Sequence, residues 1–220
     1  MTGNALIKVC GVTQEQEIDA LARLGVGYFG LVVGLDVRYA VTAGRAAELV
    51  SHAGSSSRGT IVTKEHNVDD LARLIKVTGA SAIQLAGFTS ARRVAKLRRR
   101  FDPEHLQIMQ VIHFQDGRAA EQANLQGYCD AGVDFFIVDK VGDDGALGST
   151  GETIGLDALT TFRETMRCAV PVLVAGGVKV SNVRELMQAA GAIGIDVSSS
   201  VRNESGVDIG KVAELIAVLP

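Results

Sequence analysis

The sequence predicts an α/β protein folded as a single (β/α)8 TIM barrel spanning residues 1–220. Short runs rich in Val and Ile alternate with longer amphipathic stretches along the whole chain, and there are eight of each. Dividing 220 residues among eight units leaves about 27 per unit, close to the ~30 of a βαβ building block. Composition agrees: 47% hydrophobic and 21% charged residues is ordinary for a globular domain and unlike a disordered or fibrous chain.

In chain order, strand-like runs fall at Ala5 to Cys10, Tyr28 to Val33, Thr60 to Thr63, Ala82 to Leu85, Gln107 to His113, Asp134 to Asp139, Pro171 to Ala175 and Ile193 to Val197. The amphipathic stretches between and after them are Gln14 to Leu24, Ala43 to His52, Val68 to Val77, Ser90 to Arg100, Arg118 to Ala131, Leu156 to Arg167, Ser181 to Ala189 and Ile209 to Val218. The same alternation would allow an open doubly wound sheet, and Gly25 to Gly30 is a literal GxGxxG. Those glycines, however, follow a helix and lead into a strand. That is the reverse of the order that presents a pyrophosphate to a helix N-terminus.

Net charge is −3, which argues against nucleic acid as the main partner. Met1 to Cys10 has none of the parts of a signal peptide, and no window reaches the ~18 apolar residues of a membrane span, so a cytoplasmic protein without a membrane partner is expected. Cys10, Cys129 and Cys168 are odd in number and far apart. All three are expected to be free thiols, the last two packed on helices. No metal-ligand spacing links His113 with His52, His66 and His105, so neither a metal nor another cofactor is expected. The basic run Arg92 to Arg100 reads as the solvated face of an outer helix.

A barrel carries its chemistry at strand C-terminal ends and in the loops that follow. Those positions are Cys10, Gly34 to Arg38, Thr63 to Glu65, Ala86 and Gly87, His113, Asp139 and Lys140, Gly176 and Gly177, and Ser198 to Ser200. Alternation on the first strand turns Leu6, Lys8 and Cys10 inward, leaving Ile7 and Val9 for the helix layer. A buried ammonium needs a partner, and Asp196 on the eighth strand can supply it, so Lys8 and Asp196 read as a structural ion pair. Cys10 has two local readings: a small buried apolar residue, or a thiolate stabilised by Lys8 that acts as base or nucleophile. Asp139 closes an apolar run, an environment that raises a carboxyl pKa toward the range of a general acid, although a capping aspartate fits equally. Gly176-Gly177 and Ser198-Ser199 are small enough to let backbone N–H groups reach a phosphate. Gly148 to Gly151 reads either as a hairpin able to cover a site or as a plain linker, and His113 as a structural histidine.

Lys8-Val9-Cys10-Gly11-Val12-Thr13, Asp139, Gly148-Ser149-Thr150-Gly151, Ala175-Gly176-Gly177 and Asp196-Val197-Ser198-Ser199, in that order, resemble the phosphoribosylanthranilate isomerase family, (β/α)8 barrels of tryptophan biosynthesis. The resemblance implies Cys10 as general base, Asp139 as general acid, Arg38 on the anthranilate carboxylate, and Gly176, Gly177, Ser198 and Ser199 around the phosphate. It also implies an Amadori rearrangement of a phosphorylated ribosylamine by a monomer or homodimer. The chain departs from the family pattern at Ala86, Gly155, Ser200 and Arg202, where a histidine, an aromatic segment, a glycine and a glutamate are usual. Two alternatives therefore stand beside the isomerase: a paralogue acting on another phosphoribosylamine, and a non-catalytic phosphate-ligand binder or regulatory protein.

Overall fold

The computed structural model describes residues 5–140 and 153–220. Eight strands form the barrel: β1 (Leu6–Cys10), β2 (Tyr28–Val32), β3 (Arg58–Thr63), β4 (Ala82–Leu85), β5 (Gln107–Gln115), β6 (Phe135–Lys140), β7 (Val172–Val174) and β8 (Gly194–Val197). Each pairs in parallel with its sequence neighbours, and β8 returns to β1, so the ring is closed with no free edge. Helices α1 (Glu15–Arg23), α2 (Ala43–Ala53), α3 (Val68–Thr78), α4 (Ala91–Arg98), α5 (Leu125–Asp130), α6 (Leu156–Thr165), α7 (Val183–Ala190) and α8 (Ile209–Ala217) follow the strands in turn. None of the described helices is long and apolar enough to cross a membrane.

Strand alternation divides the apolar residues into two layers. Phe29, Ile83, Ile108, Phe136, Val172 and Ile195 point outward and merge with the inner faces of the helices into the main core. Tyr28, Met109, Val111, Ile137 and Leu173 fill the barrel interior. Full burial of Phe29, Phe136 and Phe162 stabilises the fold by about 1.5–3 kcal/mol each. Helix starts are set locally: the Thr42 hydroxyl accepts from Arg45 N at 3.1 Å, Asn67 Oδ1 from Asp69 N at 2.9 Å, and Asp208 Oδ1 from Lys211 N at 3.2 Å.

Two expectations need correction. The stretch Arg118 to Ala131 is not one helix: β5 runs on to Gln115, turns at Asp116-Gly117 and comes back antiparallel through Arg118–Ala119, and α5 begins only at Leu125. Asp116 and Gly117 both have positive φ, 50° and 73°, the requirement of a tight hairpin that Asp-Gly satisfies at low cost. Cys129 and Cys168 are not free thiols either. Cys168 lies in the loop after α6, 6.4 Å from Cys129 by Cα, and the two form a disulfide. Their separation of 39 positions along the chain conceals the contact, which arises because consecutive βα units are neighbours around the ring.

Candidate active site

A cavity of about 310 Å³ opens at the carboxyl ends of the strands. Beneath it the register of β1 on β8 sets Lys8 opposite Asp196, and Nζ donates to Oδ1 at 2.8 Å with both side chains buried. Burial works against the ammonium, but Asp196 first, then Cys10 and Asp139, more than offset it and hold the Lys8 pKa above its usual value. The expected ion pair is present and forms the floor of the site.

Cys10 ends β1 one side-chain layer above Lys8 and lines the cavity. Its register partner on β2 is Gly30, where an added Cβ would lie 3.0 Å from Cys10 Sγ and 3.2 Å from Lys8 Nζ. Glycine at that position is what makes room for thiol and ammonium side by side, and it gives the third glycine of the GxGxxG run a role unrelated to nucleotides. Lys8 does not give a low-pKa thiolate. Burial, with Asp196 adding to it, outweighs Lys8 and Arg202 and pushes the thiol up to about 11. The lysine's charge is largely spent on Asp196.

Asp139 lines the same cavity from β6. Burial first, then the Asp196 charge, push its carboxyl up to about 6, against the Lys140 N–H, which donates to Oδ1 at 2.9 Å, and against His113 and Lys8. The sequence-based expectation of a raised carboxyl pKa thus has its physical cause in place. His113 is the register partner of Asp139 on β5 and also lines the cavity. Its Nδ1 lies 2.5 Å from Glu121 Oε1, its backbone N–H donates to Glu121 Oε2 at 2.9 Å, and its Nε2 sits 3.2 Å from the Ala86 carbonyl oxygen. Phe88 covers the ring with a centroid distance of 4.5 Å. The histidine is therefore structural in its bonding and part of the wall of the site. Glu121, eight residues beyond it, could not be singled out before the Asp116-Gly117 hairpin folds it back.

The loops after β7 and β8 close the fourth side. Gly176 and Gly177 have φ of 71° and 59°, a pair of left-handed residues that only glycine adopts without strain. Beside them Ser198 and Ser199 line the cavity, and the Ser198 hydroxyl is buried with no hydrogen-bond partner among the described residues. Arg38 lies in the loop after β2. Its Nη2 donates to the Glu204 carbonyl at 2.5 Å and to the Asn203 carbonyl at 3.4 Å, and the side chain lines a shallow depression beside the main cavity. Arg202, one of the departures, stacks over the Tyr39 ring at 4.6 Å and donates to the Gly11 carbonyl at 2.6 Å, bracing the turn that follows Cys10. Gly148 to Gly151 lie outside the described residues.

A closed parallel barrel, with a thiol and a raised-pKa carboxyl facing one cavity at its strand ends, places the chain among the (β/α)8 barrels that carry their functional site on that face. Residues 7–218 match the N-(5'-phosphoribosyl)anthranilate isomerase family, and the chain belongs to it. With the family comes the enzyme class, an intramolecular isomerase. The N-(5'-phosphoribosyl)anthranilate isomerase of Haloferax volcanii is 31% identical over 204 residues, covering 91% of this chain and 86% of that protein. That of Rippkaea orientalis is 28% identical over 215 residues, covering 97% and 95%. Among solved structures, the phosphoribosyl anthranilate isomerase of Thermus thermophilus superposes with a TM-score of 0.78 at 17% identity over 97% of each chain. The Pyrococcus furiosus enzyme gives 0.76 at 19%, covering 97% of this chain and 98% of its own.

Proposed function

We propose that this chain converts N-(5'-phosphoribosyl)anthranilate to 1-(2-carboxyphenylamino)-1-deoxyribulose 5-phosphate in tryptophan biosynthesis, with Asp139 as general acid and Cys10 as general base. One observation carries the assignment of roles: the order of groups around the rim. Asp139 follows from β6, Gly176-Gly177 from the loop after β7, Ser198-Ser199 from the loop after β8, and Cys10 from β1, all on one cavity. A phosphate held by the two middle loops sets the attached ribose between the acid and the base. The orphaned Ser198 hydroxyl and the backbone of two left-handed glycines lining the cavity suit a phosphate ligand.

Asp139, kept partly protonated by its burial, donates its proton to the ring oxygen as the C1–O bond breaks, and the electron pair on nitrogen forms the iminium. Cys10 thiolate then takes the proton from C2, and the C–H electrons neutralise the iminium as an enolamine. Return of a proton to C1 and loss of the C2 hydroxyl proton give the aminoketose, so no atoms or electrons are gained. Lys8 lies under the base and Asp196 balances it, which keeps the floor electrostatically neutral while a proton moves above it. Every group named comes from one chain, so the reading holds for a monomer or a homodimer.

Initial rates of phosphoribosylanthranilate consumption by the wild type, Cys10→Ala and Asp139→Asn test the assignment. Turnover by the wild type with losses of at least ~100-fold in each variant is expected from removal of a general acid or base. A wild type inert toward this substrate removes it, and undiminished turnover in both variants removes the mechanism.

A further inference from the structure

Lys8 and Asp196 are opposite charges joined at 2.8 Å below Cys10, so their effects on the thiol oppose each other. A third charge reaches the same strand end. Arg202 belongs to the antiparallel pair of Arg202–Asn203 with Gly206–Val207 that follows Ser198 to Ser200, and it is half-buried. Its Nη1 donates to the Gly11 carbonyl at 2.6 Å and approaches the Cys10 carbonyl oxygen at 3.5 Å, while the guanidinium lies 4.6 Å from the centroid of the Tyr39 ring. These partners are carbonyl oxygens and an aromatic face. Among the described residues, no carboxylate neutralises the guanidinium.

The surrounding backbone is shaped to hold it there. Gly11 has φ of 82°, and a Cβ at that position would lie 2.8 Å from both Arg202 Nη1 and a Tyr39 ring carbon, so the stack closes over the turn only because residue 11 is glycine. Glu17 of α1 anchors the other end of the turn to the same hairpin: Oε1 accepts from Val207 N at 2.7 Å and Oε2 from Thr13 N at 2.7 Å. The turn from Gly11 to Thr13 is thus tied at both ends to the chain that follows β8, and Arg202 makes the tie nearest Cys10. The other charged or titratable groups around this end of the cavity are Lys8 on β1, Asp196 on β8, Asp139 across on β6, Glu17 on α1, and Asp36, Tyr39 and Lys64 on the rim. Burial raises the thiol most; Lys8 lowers it, Asp196 raises it again, and Arg202 lowers it.

We propose that Arg202 is a positioning residue for Cys10, fixing the turn beyond the thiol and supplying the positive charge, matched by no carboxylate among the described residues, that favours the thiolate when it takes the substrate proton. The kinetic half of this role rests on the reading of Cys10 as general base, and the electrostatic half on the thiol alone. Because Cys129 and Cys168 are joined, Cys10 is the one free thiol, and its alkylation by iodoacetamide under non-reducing conditions can be followed by intact mass without substrate. Rates from pH 7 to 10 are compared for the wild type, for Arg202→Met, which keeps an apolar chain against Tyr39, and for Arg202→Lys, which keeps the charge and a donor for the Gly11 carbonyl. Cys10→Ser serves as the blank, and kcat and KM for phosphoribosylanthranilate are measured on the same proteins and on Cys10→Ala.

Arg202→Met is expected to alkylate about three- to tenfold more slowly at every pH in this range, the effect of raising the thiol by about half to one pKa unit. Its kcat falls by a similar factor with KM within about twofold, and Arg202→Lys restores most of both rates. Opening of the site by a smaller side chain would speed alkylation, which is the opposite sign. Alkylation of Arg202→Met as fast as the wild type or faster, or a loss equally deep in Arg202→Lys, overturns the proposal. A rise in KM at unchanged kcat in Arg202→Met overturns it too, since that pattern belongs to a residue that binds substrate. Undiminished turnover by Cys10→Ala overturns the base itself, and the kinetic role of Arg202 with it, even where alkylation is slowed.

Discussion

The proposed base and acid have pKa values in the reverse of the usual order, and replacing Asp139 with Asn makes the consequence measurable. Cys10 titrates near 11 and must be ionised to act, whereas Asp139 titrates near 6 and must be protonated. At pH 7 about one thiol in 10,000 is thiolate and about one carboxyl in ten is acid, so about one free enzyme molecule in 100,000 carries both in working form. The gap of five units between 6 and 11 corresponds to about 7 kcal/mol. Between those values every unit of pH multiplies the thiolate tenfold and divides the acid tenfold. The kcat/KM of the wild type, which reports the free enzyme, is therefore expected to be flat from pH 6 to the highest pH the protein tolerates, and to fall below 6.

Asparagine at 139 does not titrate. The residual kcat/KM of Asp139→Asn should then follow the thiolate alone and rise tenfold per pH unit, about 10,000-fold between pH 6 and 10, over a range where the wild type changes little. Initial rates at low substrate concentration across that range suffice, with Cys10→Ser as the inactive reference. A flat profile for Asp139→Asn, or a wild-type optimum with a descending limb near pH 8, would refute the reversed order and return Cys10 to the role of an ordinary activated thiol.

Three further outcomes follow from the same geometry. Lys8→Met leaves the buried Asp196 charge uncompensated and should cost about 3–5 kcal/mol in urea unfolding, most of it recovered in the double variant Lys8→Met with Asp196→Leu; a loss below 1 kcal/mol would contradict the ion-pair floor. Asp139 has a folded-state pKa near 6 against an unfolded value of 3.8, so its contribution to stability is fully present below pH 4 and lost as pH rises through 6. Asp139→Asn should therefore be more stable than the wild type by up to about 3 kcal/mol at pH 8, with the two converging below pH 4, a pattern that thermal melts at both pH values would reveal. Gly30→Ala brings a methyl to 3.0 Å from Cys10 Sγ and 3.1 Å from its Cα and should lower kcat at least ~100-fold, the scale on which small misplacement of a catalytic group acts; retention of full activity would show that Cys10 does not need this position.

How far the sequence alone reaches can be traced residue by residue. Periodicities of 2 and 3.6 are properties of local geometry, so the eight strands and most of the helices were legible from apolar spacing. The inward face of β1, and with it Lys8 beside Asp196, followed from alternation on a strand whose outer face had to be apolar. The Asp116-Gly117 pair is a legible turn signal, but helical spacing that starts at Arg118 masks the return strand Arg118–Ala119. The Cys129–Cys168 disulfide and the His113–Glu121 pair were not legible, since each depends on which surfaces the barrel brings together.

The sequence by itself determined the barrel, the rim positions open to chemistry and the family, because spacing and residue type carry that information along the chain. The tertiary structure decided the electrostatics and the directions of the side chains. Burial overrode the lysine beside Cys10, and the backbone carbonyls of Asn203 and Glu204 hold the Arg38 side chain beside the main cavity. Desolvation and facing partners are sums over neighbours distant in sequence, and they exist only once the chain has folded.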